Sequence, residues 1–179
     1  MAEPVTLTEA KAQCRMSDDN SEDTYLTSLI APARAYVERV STYGLVSGTR
    51  VFTFTRWGDY LEIFLRPITS LTSVAYVDEE GDAQTYTGLA PLGAYPFRIF
   101  PAADDEFPTI SPGSTITVTV AAGALDSSSQ EYLIAKRAIL ILIAHWFEFR
   151  EAAQAGIMSD EIEYAVRSML DDLRPISAY

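Results

Sequence analysis

The sequence predicts an α+β fold: a helical bundle, two N-terminal and two C-terminal helices, interrupted by a strand-rich antiparallel insertion. Three observations predict it. Apolar residues recur at spacings of three and four at both ends of the chain, the texture from Gly48 to Gly123 switches to alternating and β-branched residues, and one long apolar run lacks any Gly or Pro. That run, Ser128 to Ala153, reads SSQEYLIAKRAILILIAHWFEFREAA. As a helix it places Leu133, Leu140, Ala144 and Phe147 on one face, Ile139, Ile143 and Trp146 on another, and Ile134, Ala138 and Ile141 on a third. Its middle is apolar all round and has to be covered, by its own domain or by another copy of the chain. Ile139, Ile143, Trp146 and Phe147 are therefore the candidate subunit-packing residues. A membrane span is excluded by length: the run Ala138 to Phe147 is flanked by Lys136, Arg137, Glu148 and Arg150, and a bilayer needs about 20 apolar residues.

Taken in order, Thr6 and Glu9 form a capping box that starts a helix over Leu7 to Arg15. The polar stretch Ser17 to Asp23 supplies a loop and a second N-cap. Leu26, Ile30, Ala33, Val37 and Val40 line one side of a helix over Ser21 to Thr42, which Gly44 ends. Pro32, inside that pattern, kinks the helix or divides it into two. Val51 to Thr55 and Leu61 to Leu65 read as strands joined like a hairpin through Trp57-Gly58-Asp59. Ser73 to Asp78 is a strand that turns at Glu79-Glu80-Gly81-Asp82 and pairs back through Ala83 to Tyr86. Gly88 to Pro96 reads as irregular, Arg98 to Phe100 as a short strand, Pro101 to Gly113 as a loop, and Ile116 to Val120 as the strand that closes the sheet. After Ala155-Gly156, Ser159 caps a last helix whose stripe is Ile162, Val166, Met169, Leu170 and Leu173. Arg174-Pro175 stops it. Residues 1–179 are thus expected to be one domain, with 48–123 inserted between helical segments 6–44 and 128–173, and a tail over 174–179.

Composition narrows the function. The 179 residues include 13 basic and 25 acidic ones, a net charge of −12 that argues against a grip on nucleic-acid phosphates and for high solubility or a basic partner, and is compatible with DNA passing nearby without sticking. A single cysteine, Cys14, excludes an internal disulfide and a cysteine zinc site and reads as a small buried hydrophobe in a protein made in a reducing compartment. The start, MAEPVTLTEAK, has neither a basic leader nor an apolar core region, so secretion by that route is not expected. Catalytic groups are sparse. His145, the sole histidine, lies mid-helix beside Trp146, with no Gly-x-Ser-x-Gly elbow in the chain, and reads as a structural imidazole. Gly113-Ser114 lacks the glycine spacing and lysine of a phosphate loop. The acidic pairs Glu79-Glu80 and Asp171-Asp172 read as solvated faces. No cofactor or metal is implied, and the chain is expected to be no enzyme.

The opening EPVTLTEAKAQCRM, then EDTYLTSLIAPARAYVERVSTYGL, and later AILILIAHWFEFREAA, together resemble the head-tail connector (adaptor, or head-completion) proteins of tailed bacteriophages and gene transfer agents. The most specific parts are the Pro-Val-Thr-Leu-Thr-Glu-Ala-Lys start, the Thr42-Tyr43-Gly44 turn and the run Ala-His-Trp-Phe-Glu-Phe-Arg-Glu from Ala144. The resemblance implies a virion protein made in the bacterial cytoplasm and seated at the portal vertex neck: a homo-oligomeric ring, usually a dodecamer, that touches the portal protein and a stopper or tail-completion protein and lines a channel for DNA. It also implies that the C-terminal segment inserts at the portal. In this chain that segment offers Arg174 for a carboxylate, Pro175 as a rigid exit, and Ile176 and Tyr179 as apolar anchors. Two other readings stand beside it: a tail-completion or stopper protein of the same particle, and a small metal-dependent hydrolase using His145, Glu148 and Glu151.

Overall fold

The structure, a computed structural model, describes residues 3–93, 95–102, 105–150, 160–171 and 173. The chain divides into two compact units, one made of Met1–Val46 with Leu125–Tyr179 and the other of Ser47–Ala124. Mixed α and β structure with antiparallel sheets is observed, with four helices among the described residues.

The first unit begins with α1 (Leu7–Gln13), fixed by the full capping box: Glu9 N–H donates to Thr6 Oγ1 at 3.3 Å and Thr6 N–H donates to Glu9 Oε2 at 2.9 Å. Lys11 is buried and its ammonium pairs with Asp23 at 2.8 Å, tying α1 to the start of α2 (Asp23–Ser41). The second N-cap departs from expectation. The N-cap position is Glu22, inside the expected stretch, but its side chain makes no capping hydrogen bond. Pro32 neither divides α2 nor interrupts its assignment as one helix. It lies on the exposed side, where water can satisfy the carbonyl deprived of its partner. The helix ends two residues before Gly44, at Thr42, whose φ of 63° makes the left-handed turn. Ser41 assists by donating to Val37 O at 2.7 Å while accepting from Tyr43 N–H at 3.3 Å.

Glu38 then organises the exit. Its carboxylate accepts from Leu45 N–H at 2.8 Å and Val46 N–H at 3.3 Å and pairs with Arg34 at 2.8 Å. The returning chain bonds there too, Leu125 N–H donating to Gly44 O at 3.0 Å. Ser129 caps α3 (Gln130–Glu148) by accepting from Tyr132 N–H at 3.1 Å, and α4 (Asp160–Asp171) completes the unit's described helices. Leu26, Ile30 and Val37 of α2, Ile139, Leu142 and Ile143 of α3, and Val166 and Leu170 of α4 share one core. The expected helical residues Glu151 to Ala153, the Ala155-Gly156 break and the Ser159 cap lie outside the described residues.

The second unit holds β1 (Gly48–Phe54), β2 (Leu61–Ile63), β3 (Ile68–Val77), β4 (Ala83–Thr85), β5 (Leu89–Leu92), β6 (Phe97–Pro101) and β7 (Ile116–Ala122). One sheet runs β1-β7-β3-β4 and the other β2-β6-β5, and every pairing is antiparallel. Leu61, Ile63, Phe97 and Ile99 of the smaller sheet and Val74, Ile116, Val118 and Val120 of the larger form a single core, the arrangement of a sandwich. The β3–β4 pairing is as the sequence suggests, with Gly81 at φ 92° in the turn. Three strand expectations change. β1 and β2 form no hairpin: β1 pairs with β7 and β2 with β6, and the residues between them cross from one sheet to the other, held by Trp57 stacked on Phe107 at 4.6 Å. Within the segment expected to be irregular, Leu89–Leu92 forms an edge strand, which Pro91 masks in the sequence because it removes a backbone donor. β7 is central instead of closing the sheet, its alternate residues Ile116, Val118, Val120 and Ala122 all facing the core.

Candidate interaction surfaces

α3 has an inner and an outer side. Ile139 and Ile143 are 0% exposed within the chain's own core, which corrects their assignment as subunit contacts: α2 and α4 already cover that face. Trp146 and Phe147 are half-buried against the same core. Around them an aromatic–cation cluster forms. The Arg150 guanidinium lies over the rings of Tyr25 at 4.6 Å and Phe147 at 4.8 Å, pairs with Glu22 at 3.1 Å, and the Tyr25 hydroxyl donates to Trp146 O at 3.3 Å. This fastens the end of α3 to the start of α2. The outer side exposes Leu133 at 56% and, just past the helix, Phe149. Leu133 is the exposed member of the face it shares with the half-buried Leu140 and Ala144, and Arg137 and Glu148 beside it are exposed too.

In the second unit, both sheets have outer faces of distinct character. On the smaller sheet Tyr60, Phe64 and Leu92 are exposed, Arg98 lies over the Tyr60 ring at 5.0 Å and bonds Glu62 at 2.9 Å, and Arg66 lies over Tyr95 at 4.5 Å. On the larger sheet, cross-strand partners place Thr49, Val51 and Thr53 of β1 beside Ala121, Thr119 and Thr117 of β7, and these beside Ser70, Ser73 and Ala75 of β3. That face is small, hydroxyl-rich and without a charged residue, in a chain of net charge −12.

Neither unit assembles a chemical site among the described residues. His145 is buried with its ring against Phe149 at a centroid distance of 5.0 Å, and no group of three His, Cys, Asp or Glu side chains is placed to hold a metal ion. Glu148 is exposed, and Glu151 of the rival metal set lies outside the described residues. Burial pushes the Cys14 thiol up, away from the reactive thiolate, at the position that caps α1. Asp78 is held below the usual carboxylate range by the Gln84 side chain and the Asp82 amide, as a turn-former. Among the described residues no helix is long and apolar enough to cross a membrane. Arg174, Pro175, Ile176 and Tyr179 lie outside the described residues.

Residues 4–56 match the model of a family described as phage gp6-like head-tail connector protein. The fold matches a chain from the neck of an empty gene transfer agent (GTA) particle computed with C6 symmetry, at a TM-score of 0.69 and 22% identity, over 100% of this chain and 95% of that one. It also matches a chain of the virion of a native GTA particle, at 0.70 and 20% identity over 98% and 92% of the two chains. A chain from the native GTA neck computed with C12 symmetry gives 0.62 and 20% identity over 100% and 94%. No curated protein sequence matches.

Proposed function

We propose that this chain is a structural head-tail connector, an adaptor that forms a ring at the neck of a phage-like particle, beneath the portal and around the path of the DNA. The observation that carries the reading is the likeness of the whole fold to chains of particle necks, joined to the connector-family match over residues 4–56. Ring symmetry in those necks supports an oligomer, with twelve copies as the proposed number. In this reading the two N-terminal and two C-terminal helices form each subunit's bundle. Ile139 and Ile143 brace α3 from inside, while Trp146, Phe147 and the exposed Leu133 and Phe149 contribute to the contact with the next copy. The net charge of −12 keeps DNA phosphates from lodging on the ring. No catalysis is part of the role.

The tail, residues 174–179, is the proposed docking arm for the portal, with Ile176 and Tyr179 as anchors and Arg174 as the charged contact. Deleting the gene in a producing cell is expected to give DNA-filled heads without tails. Tailed, DNA-delivering particles at normal yield would overturn the connector role. Removing residues 174–179 alone is expected to leave melting unchanged and to abolish co-purification with the portal protein. Retained portal binding would move the docking arm elsewhere, and binding to tail proteins alone would favour the stopper reading.

A further inference from the structure

We infer that the aromatic hollow beside β2 is a socket for the acidic β3–β4 turn of a neighbouring copy, a side-chain contact that joins subunits of the ring. The inference rests on the ring reading above and adds a surface through which the ring is made. Where the chain crosses from β1 to β2, Thr53, Thr55, Arg56, Tyr60, Glu62 and Phe64 are among the residues that line an open hollow of about 520 Å³, in the size range of ligand pockets. Phe64 is 57% exposed and Tyr60 37%, so two aromatic rings stand bare to water. The hollow's own carboxylate, Glu62, is held by Arg98 at 2.9 Å, whereas the exposed Arg56 makes no side-chain bond among the described residues. Asp59 is exposed nearby but does not line the hollow. Aromatic surface beside one unanswered guanidinium fits a short acidic segment, whose aliphatic carbons cover the rings while a carboxylate meets the cation. A nucleic-acid strand fits less well: Arg98 is engaged with Glu62 and the Tyr60 ring, so successive phosphates would meet a single cation in a chain of net charge −12.

The same unit supplies such a segment. Beyond β3, Glu79, Glu80, Gly81 and Asp82 are exposed in succession. Asp78 holds this turn in shape: its carboxylate accepts from Asp82 N–H and from the Gln84 side-chain amide, each at 2.8 Å, and Gly81 N–H donates to Asp78 O at 3.1 Å. Gly81, at φ 92°, keeps the tip slim, with no atom within 4 Å of where a Cβ would stand. The Glu79 and Glu80 side chains make no bond among the described residues, so the turn is a preformed finger with two carboxylates to place and little ordering cost on docking. Within one chain it stands away from the hollow. β7 lies between β1 and β3, which sets the two at least two strand spacings, about 10 Å, apart. They are nevertheless level. β1 and β3 both run antiparallel to β7, and Thr53 lies opposite Thr117 as Thr117 lies opposite Ala75, so hollow and turn follow at the same end of the sheet. A neighbour displaced across the strands, with no shift along them, therefore brings its turn to this hollow. The two patches differ, so the contact propagates head to tail and closes as a ring.

Photo-cross-linking tests the socket. The full chain carrying Phe64→p-benzoylphenylalanine, irradiated in assembled particles, is expected to couple to residues 78–84 of another copy, read as a ladder of multimers and by mass spectrometry of the joined peptides. Coupling to DNA or to a different particle protein, or no coupling at all, in particles that hold the protein at its normal level would overturn the socket and leave the connector role standing. Charge exchange tests it without the probe. Arg56→Glu is expected to raise the concentration for ring assembly roughly fivefold, Glu79→Lys with Glu80→Lys to do the same, and the three together to restore it. All three positions are exposed, so each variant is expected to melt as the parent does. Losses that add instead of cancelling would overturn the pairing. A cross-link between residue 64 and residues 78–84 in rings of purified protein, alongside particle necks that lack the protein, would keep the socket and remove the connector role.

Discussion

Glu38 concentrates more of the fold's local order than any site read from the sequence, because one half-buried carboxylate holds Arg34 and two consecutive backbone amides at the end of α2. Glu38→Ala leaves those amides without their acceptor and is expected to lower stability by about 1–3 kcal/mol in denaturant unfolding. Glu38→Gln retains one acceptor oxygen and is expected to fall between the two. Glu9 of α1 is a second test, through pH. Its carboxyl is held below the usual range first by the Lys136 ammonium at 2.6 Å and then by the Thr6 amide. A depressed folded value means the contribution is complete above the unfolded glutamate value, about 4.3, and is lost as pH falls through the folded one. Glu9→Gln is therefore expected to be less stable than the parent at pH 7, with the gap closing as the pH is lowered below 4. A gap independent of pH would show that the loss comes from packing alone.

At the scale of the element, α3 shows what a sequence says and what it withholds. Its existence follows from the unbroken run between Ser128 and Ala153, although the helix ends at Glu148, and an all-round apolar surface gives no moment strong enough to say which face is inside. Ile139 and Ile143 were therefore candidates for subunit contact, although α2 and α4 cover them. The two sides are expected to separate in unfolding experiments. Leu142→Ala or Ile143→Ala should destabilise by about 2–5 kcal/mol, and Leu133→Ala by no more than about 0.5. The capping box and the β3–β4 turn were legible because both are made by residues near in sequence. The partners of β1 and β2 were not. A hairpin and a sheet-to-sheet crossover share turn residues such as Gly58-Asp59, and only the distant β6 and β7 decide between them.

Across the whole molecule, the single rung from Leu125 N–H to Gly44 O brings the chain leaving the helical unit beside the chain returning to it. Among the described residues the helices close their core, including Ile30, Val37, Ile139 and Leu142, with residues of their own unit. Replacing Ser47–Ala124 by a short Gly-Ser linker is expected to leave a cooperatively unfolding helical protein, checked by circular dichroism and thermal melting. Loss of a cooperative transition would show that the strands are needed for the helices to fold.

That rung also has a consequence for inheritance. Because exit and return are side by side, a gene can gain, lose or exchange everything encoded between codons 47 and 124 by recombination at two points, while the helical reading frame on either side still specifies the same core. The helical unit and the strand-rich unit can then evolve at different rates, the first constrained by a core that its own two ends must close.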